Sequence, residues 1–457
     1  MNYINYTDFL KSKHIIDMPH GFDVDVKNLN TNLFEWQALI TRWMLKKGRC
    51  AAFEDCGLGK TIQQLAWAQQ VCEHTNSNVI VFAPLSVATQ TAREGEKFGI
   101  SVTVCRTQAD VKPGINITNY AMMEHFDANK FSGVVLDESS IIKSFTGATT
   151  QALIDKFRNT PYKLCCTATP APNDYMELGN HAEFLGVMKR SEMLASFFIH
   201  DGGDTAKWRL KGHAESAFWE WVSSWAVVLQ NPADLGYEQD GYNLPPLNIV
   251  EHIIGEAPER LAQTLSERRE ARKASLPERV AKCAEIANKA DGAVTVWCDL
   301  NAESTALTSA INGAVEVTGS DKDENKVRYM ADFSAGKSSV LVSKPKIAGF
   351  GMNWQHCNTV IFCGLSDSFE SYYQAVRRCW RFGQTRPVTV HIVTSAAEGA
   401  VRANIERKQA DAMKMAKEMS KYTKEIMNEN IKATTRTYDK YEPKTVMQLP
   451  QWMEAVS

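Results

Sequence analysis

Two glycines, a lysine and a hydroxyl lie close together in Glu54-Asp55-Cys56-Gly57-Leu58-Gly59-Lys60-Thr61, between an apolar run from Cys50 to Phe53 and a helical pattern beginning at Ile62. Strand, glycine turn and helix in that order form a cradle for phosphate. Gly57 and Gly59 permit turns that a Cβ would oppose and let consecutive N–H groups approach an anion, while the helix N-terminus adds partial positive charge. Lys60 is expected to reach the β- and γ-phosphates, and the Thr61 hydroxyl to coordinate magnesium. The strict pattern has glycine at 54, where this chain has Glu54, so the match is partial.

A second chemical stretch is Val134-Val135-Leu136-Asp137-Glu138-Ser139-Ser140, an apolar strand that ends in two carboxylates. At the C-terminal edge of a parallel sheet, Asp137 can hold magnesium through water and Glu138 can polarise the water that attacks the γ-phosphate. Taken alone, such a pair is more often a helix cap. Following a glycine turn, it is expected to be the catalytic pair. Thr167-Ala168-Thr169-Pro170 closes a further strand, and its hydroxyls at Thr167 and Thr169 are candidates for passing on the state of the phosphate. The plain alternative there is a Ser/Thr turn before proline.

The second half contributes Gly349-Phe350-Gly351-Met352-Asn353-Trp354 and then Gln374-Ala375-Val376-Arg377-Arg378-Cys379-Trp380-Arg381-Phe382-Gly383-Gln384. Arg378 and Arg381 are spaced to share one helical face. Permanently charged, planar guanidinium groups suit a transferring phosphoryl group, and a second domain that lends them makes hydrolysis depend on closure. Arg377, one position outside that pair, is expected to tolerate replacement.

These residues need rigid elements behind them. A helix over Leu33 to Lys46, a strand over Arg49 to Phe53 and a helix over Thr61 to His74 frame the glycine turn. Strand-like runs follow at Asn78 to Ala83, Ser101 to Cys105, Ile115 to Thr118, Val134 to Leu136 and Tyr162 to Thr167. Short β-branched runs alternating with helices argue for a parallel sheet covered on both faces. Between Asn173 and Pro246 a tryptophan-rich, mostly helical insertion with an apolar core intervenes, ending in a hinge at Leu244-Pro245-Pro246. Alternation then resumes at Val294 to Leu300, Val315 to Thr318, Val340 to Ser343, Thr359 to Cys363 and Val388 to Thr394. The expected fold class is α/β, with two tandem doubly wound parallel-sheet domains. The divisions are an arm over 1–32, a first domain over 33–246 with its insertion at about 173–243, a second domain over 247–400 and a helical tail over 401–457. In the tail, Ile405, Ala412, Ala416, Met419 and Ile426 recur at helical spacing, which indicates a helix packed against a domain.

Composition narrows the class. The chain has 457 residues, 44% hydrophobic and 23% charged, the profile of a globular protein too long for one core. It contains no run of about 18 apolar residues and no apolar stretch behind a basic one at the N-terminus, so a cytoplasmic protein without a membrane partner is expected. Eleven cysteines occur without a C-x-x-C pair, which argues against zinc and disulfides. A net charge of −2 supplies no global field for a polyanion, so any nucleic-acid contact must rest on local basic patches.

The ordered set of Gln37, GLGKT, APLS, ITNY, DESS, TATP, GFGMNW and QAVRRCWRFGQ resembles the helicase-type motors of superfamily 2, above all the Swi/Snf-type branch that moves along duplex DNA. The resemblance runs from about Leu33 to Thr394, the last motif is its most specific part, and it implies that both parallel-sheet domains are RecA-like. It implies that Trp36 and Gln37 meet the adenine, and that Gly57, Gly59, Lys60, Thr61, Asp137 and Glu138 serve phosphate, magnesium and water. It implies that Gly351 lines the cleft from the second domain and that Arg378 and Arg381 are arginine fingers. Ser86, Asn119, Tyr120 and Lys346 are expected to face a nucleic-acid backbone. DESS departs from the commoner aspartate-glutamate-alanine/glycine-histidine. With no appended module, the chain looks like a compact phage or bacterial member.

The expectation is therefore a nucleic-acid-dependent ATPase that uses ATP and magnesium to translocate on or remodel duplex DNA, with an unidentified protein partner left open. Its alternatives are a strand-separating helicase for DNA or RNA, and an ATP-gated switch that clamps nucleic acid without processive motion. A metabolic P-loop kinase fits poorly, since it leaves the second sheet and its arginines unexplained.

Overall fold

The structure is a computed structural model that describes residues 19–201, 204–255, 265–348, 352–396 and 399–431. Among the described residues, nine strands belong to the first half: β1 (Arg49–Glu54), β2 (Asn78–Ala83), β3 (Val102–Val104), β4 (Ile115–Asn119), β5 (Phe131–Asp137), β6 (Tyr162–Cys166), β7 (Phe198–Asp201), β8 (Asp204–Leu210) and β9 (Ala226–Leu229). Seven of them form one sheet in the order β3-β4-β2-β5-β6-β1-β9, with every neighbouring pair parallel. The second half supplies β10 (Leu247–Ile254), β11 (Ala293–Trp297), β12 (Ala314–Val317), β13 (Val340–Ser343), β14 (Cys357–Cys363) and β15 (Val388–Ser395). These form a second all-parallel sheet, ordered β10-β15-β14-β11-β13-β12. The two-sheet α/β architecture expected from alternation is present.

Period-two alternation sorts the side chains. Ala51, Phe53, Ile80, Phe82, Val134 and Leu136 point to one face of the first sheet. Cys50, Ala52, Val79, Val81 and Val135 point to the other. Helices α1 (Glu35–Lys47) and α2 (Lys60–Thr75) cover the second of these faces through residues such as Trp43 and Trp67. Helices α3 (Leu178–Leu185) and α4 (Glu215–Trp225) cover the first. Phe82 is fully buried, and truncating such a ring costs about 3–5 kcal/mol. The second sheet repeats the scheme, with Trp297, Leu341, Val360 and Phe362 on one side and Val294, Val296, Val342 and Ile361 on the other.

One sequence expectation changes, and one strand joins those expected. The segment 173–246 is not simply a helical insertion: it holds the antiparallel hairpin β7–β8, and it returns to the first sheet as β9, paired with β1 from Ala51↔Ala226 to Glu54↔Leu229. Trp219 and Trp225 of α4 do fill an apolar core, but that core is the sheet's own. The run Leu247–Ile254 directly after the proline hinge is a strand, β10, at the edge of the second sheet.

Helix α5 (Phe369–Val376) leads into the arginine motif, and the long helix α6 (Gly399–Ile431) forms the tail. The tail helix does more than pack against one domain. Val401 and Ile405 join the core of the second sheet, while Met415, Ala416 and Met419 join that of the first. Lys408 bridges the halves, donating to Asn173 Oδ1 at 2.9 Å and to the Asp367 carbonyl at 2.8 Å. The side chain of Ile426 lies outside the described residues. Among the described residues no helix is long and apolar enough to cross a membrane.

Candidate active site between the two sheets

The glycine turn follows β1 at the C-terminal edge of the first sheet. Gly57 has φ +93° and Gly59 has φ +79°, the left-handed region that glycine adopts without penalty. Close approach adds a second reason for glycine at each position. A Cβ on Gly59 would lie 2.4 Å from Gln37 Nε2, and one on Gly57 would lie 3.1 Å from the Phe382 backbone nitrogen, which belongs to the other half of the chain. Gly59 caps α2 without any side-chain acceptor, so the first N–H groups of that helix face the turn. Lys60 Nζ donates to the carbonyls of Glu54 at 2.8 Å and Asp55 at 3.0 Å. Thr61 follows in the first turn of α2, half-buried.

Glu54, which stands in the place of a glycine, ends β1 with its carboxyl inside the protein, 1% exposed. Gln63 Nε2 donates to its Oε2 at 2.7 Å, and its Oε1 has no partner. Burial raises this carboxyl to about 7, against the pull of the Lys60 charge and the Gln63 bond.

At the end of β5, Asp137 accepts from Gln64 Nε2 at 2.8 Å and Glu138 adopts the left-handed region, with φ +53°. Burial raises both carboxyls; Glu138 reaches about 7, pushed further by Asp137 and drawn back by Lys60 and Arg378. Thr167 Oγ1 donates to Glu138 Oε2 at 3.4 Å and accepts from the Thr169 N–H at 3.2 Å, so the TATP stretch touches the carboxylate. The two serines of DESS have separate uses. Ser139 Oγ pairs with His181 Nε2 at 3.1 Å, and Ser140 Oγ donates to Glu370 of α5, which Lys143 also engages.

The second half meets this edge through α5 and the turn after it. Gln374 Nε2 donates to Glu138 Oε2 at 3.3 Å, and Phe382 packs on Tyr242 with ring centroids 4.7 Å apart. Arg378 Nη1 and Arg381 Nη1 both donate to the Met352 carbonyl, at 3.1 and 3.3 Å. Burial, aided by Arg378, lowers the Arg381 guanidinium to about 10, and its Nε is buried without a partner. The expectation that these two arginines share a helical face needs correcting. Helix α5 ends at Val376, where Arg378 N bonds to the Ala375 carbonyl and Cys379 N to that of Val376, a tighter last turn. The shared target at Met352 brings the two side chains together instead.

Arg377 is a clear correction. Expected to be dispensable beside the pair, it is instead 4% exposed, and its Nη2 donates to Asp55 Oδ2 at 2.6 Å and to the Cys56 carbonyl at 2.8 Å. Tyr373 also donates its hydroxyl to Asp55. Asp55, Glu370, Tyr373 and Arg377 were therefore missed as site residues. The available signal was a pair of opposite charges, one in the glycine turn and one beside the expected arginine pair.

The remaining candidates divide. Gln37 is held inside, accepting from the Phe34 N–H at 2.9 Å and donating to the Leu58 carbonyl at 2.9 Å, so it braces the glycine turn. Trp36 is buried against Tyr242 at 5.8 Å between centroids. Asn119 caps a short helix by accepting from the Ala121 N–H at 3.0 Å. Tyr120 turns inward: its hydroxyl donates to the Asp137 carbonyl at 2.7 Å, so it supports the carboxylate strand and its hydroxyl does not face outward. Lys346 is exposed just beyond β13. Ser86 lies in the first turn of the helix Leu85–Lys97, with its side chain outside the described residues, as is the whole of Gly351.

A glycine turn and paired carboxylates at the edge of one parallel sheet, faced by arginines from a second sheet, define a two-lobed helicase-like ATPase core. Residues 36–198 match the SNF2-related domain and residues 278–383 the helicase conserved C-terminal domain. The chain belongs to the superfamily 2 helicase-like ATPases of the Swi/Snf type. Helicase SWR1 of Candida albicans is 30% identical over 152 residues, which is 29% of this chain and 9% of that protein. The bifunctional helicase and thymine dioxygenase JBP2 of Leishmania braziliensis is 37% identical over 86 residues, 18% of this chain and 8% of that protein. The chain thus matches less than a tenth of the length of either relative. Among solved structures, the SWI2/SNF2 ATPase core of Sulfolobus solfataricus in complex with dsDNA aligns with a TM-score of 0.41 at 19% identity, covering 90% of this chain and 97% of that one.

Proposed function

We propose that this protein is a DNA-dependent ATPase that binds ATP and magnesium between its two sheets and uses hydrolysis to translocate on or remodel duplex DNA. The carrying observation is that Glu138, raised to about 7 at the end of β5, is addressed by Thr167 from its own sheet and by Gln374 from the other half. The cleft residues fit a nucleoside triphosphate: two glycines whose Cβ positions are already taken, a lysine bound only to carbonyls in its two hydrogen bonds, and a buried guanidinium nitrogen on Arg381 with no partner. Magnesium, held by Thr61 and Asp137, would neutralise developing charge on the phosphates.

In this reading Lys60 exchanges the Glu54 and Asp55 carbonyls for phosphate oxygens. Glu138 accepts a proton from water while Thr167 and Gln374 fix its carboxylate. Arg378 and Arg381 leave the Met352 carbonyl and turn toward the phosphates when nucleotide enters the cleft, where fixed cations stabilise charge in a water-poor site. Lys346 and Ser86 contribute to a backbone-directed nucleic-acid surface. Contacts of that kind carry little sequence information, so sequence-independent binding that weakens as salt rises is expected.

One observation favours strand separation as a second reading. The hairpin β7–β8 is a sheet of its own and carries a packed His200 and Trp208 pair, with ring centroids 3.7 Å apart. The deciding experiment measures ATP hydrolysis in parallel on single-stranded DNA, duplex DNA, a fork and RNA. Greatest stimulation by duplex DNA supports translocation, and greatest stimulation by forks together with unwinding supports the helicase reading. Tight binding without turnover would leave only a switch.

A further inference from the structure

The three arginines of the last motif are not used alike. Arg378 and Arg381 are docked on the Met352 carbonyl of their own half, whereas Arg377 crosses to the first sheet. There it completes a regular arrangement. The three successive carbonyls that enter the glycine turn are all held by cations: those of Glu54 and Asp55 by Lys60, and that of Cys56 by Arg377. The Asp55 carboxylate takes the same guanidinium at 2.6 Å as well as the Tyr373 hydroxyl, and it accepts the Cys56 N–H at 2.6 Å. The Arg377 and Asp55 side chains are only 5% and 14% exposed. The rings of Trp380 at 4.9 Å and Tyr373 at 5.9 Å flank the guanidinium and fix its direction.

We propose that Arg377 is a positioning residue which, through Asp55 and the Cys56 carbonyl, shapes the glycine turn for hydrolysis when the two sheets close. A buried ion pair repays its desolvation poorly as plain stability, and its best-attested use is to fix register or to switch. Here the geometry it specifies is that of the turn carrying Gly57, Gly59 and Lys60. Because the partners lie on opposite sides of the cleft, the turn receives this restraint only in the closed arrangement. The catalytic lysine and the closing lobe are thereby coupled without Arg377 touching the nucleotide. Tyr373 and Cys56 serve the same contact from either side.

The inference rests on the ATPase reading above, so its test has two independent readouts. Full-length wild type, Asp55→Asn, Arg377→Met and the double variant are compared in steady-state ATP hydrolysis with duplex DNA and in thermal denaturation. Each single variant is expected to lose at least about tenfold in kcat with little change in KM, and the double variant to lose no more than either single one. Losses that multiply in the double variant, or a KM effect with kcat intact, overturn the proposal. A rise in DNA-independent turnover in the single variants also overturns it, since the contact would then be an inhibitory latch. The double variant removes both buried charges at similar volume, so it remains usable if a single variant unfolds. Non-additive shifts in Tm are expected across the same four proteins, and additive shifts overturn the contact itself. Absence of wild-type hydrolysis on every nucleic acid would instead count against the ATPase reading, with the thermal comparison still deciding the pairing.

Discussion

Gln374 Nε2 lies 3.3 Å from Glu138 Oε2, so a residue from the second half of the chain addresses the carboxylate that ends β5 in the first. The contact joins the hydrolytic group to the element that leads into the arginine motif on the other side of the cleft. Glu138 is also the carboxyl that burial and the neighbouring Asp137 raise to about 7. A general base must be ionised to accept a proton, so kcat/KM, which reports the free enzyme, should climb as pH rises through about 7. Glu138→Gln should retain nucleotide binding through Lys60 and Asp137 yet lose turnover, accumulating as a closed, DNA-bound complex. Stopped hydrolysis together with retained binding in filter or polarisation assays checks this. Wild-type turnover in the variant would move the base elsewhere.

Lys60→Ala removes the ammonium that now rests on the Glu54 and Asp55 carbonyls. Hydrolysis should vanish and nucleotide affinity should fall, read by turnover and by equilibrium binding of a fluorescent ATP analogue. Normal turnover would make the glycine turn a structural feature only.

Arg381→Ala should leave ATP binding nearly intact and cut DNA-stimulated turnover by about 10³-fold or more, the range of arginine fingers. The residue lies beside Gly57, with its Cβ 3.6 Å from where a Cβ on that glycine would be, so the cleft is within reach of its side chain. A loss confined to KM would show that the guanidinium only binds substrate.

Glu54 supplies a pH dependence of stability. Its folded carboxyl titrates near 7 against an ordinary 4.5, so between those values the folded state binds more protons than the unfolded one. Stability from this group is therefore complete below about pH 4.5 and is lost as pH rises through about 7, amounting to about 3 kcal/mol at most. Nucleotide-free wild type should melt lower at pH 8 than at pH 6, and Glu54→Gln should flatten that difference. An unchanged slope in the variant would assign it to other groups.

Much of this arrangement was legible before any coordinates. Asn78–Ala83 and Val340–Ser343 were placed residue for residue, because short β-branched runs buried on both faces leave little choice of element. The glycine turn and the carboxylate pair at the end of β5 were equally visible, since both are local patterns. What escaped depends on closure in three dimensions. The strand β9 looks like the end of a tryptophan-rich helix until its pairing with β1 is seen. Arg377 resembles a redundant neighbour until Asp55 comes within 2.6 Å from the other side of the cleft. Tyr120 reads as an exposed residue of ITNY, yet its hydroxyl is taken by the Asp137 carbonyl behind it. The helical period of the tail reveals an apolar stripe but not that its two ends pack on different sheets.

The most direct test of the proposed motor is displacement of a third strand from a DNA triplex, run beside unwinding of a forked duplex, with Lys60→Ala as the control. A protein that tracks along duplex DNA displaces the third strand in an ATP-dependent manner, does so with little regard to flanking sequence, slows as salt rises, and unwinds the fork poorly or not at all. Efficient fork unwinding with no triplex displacement would contradict the account and make the protein a strand-separating helicase.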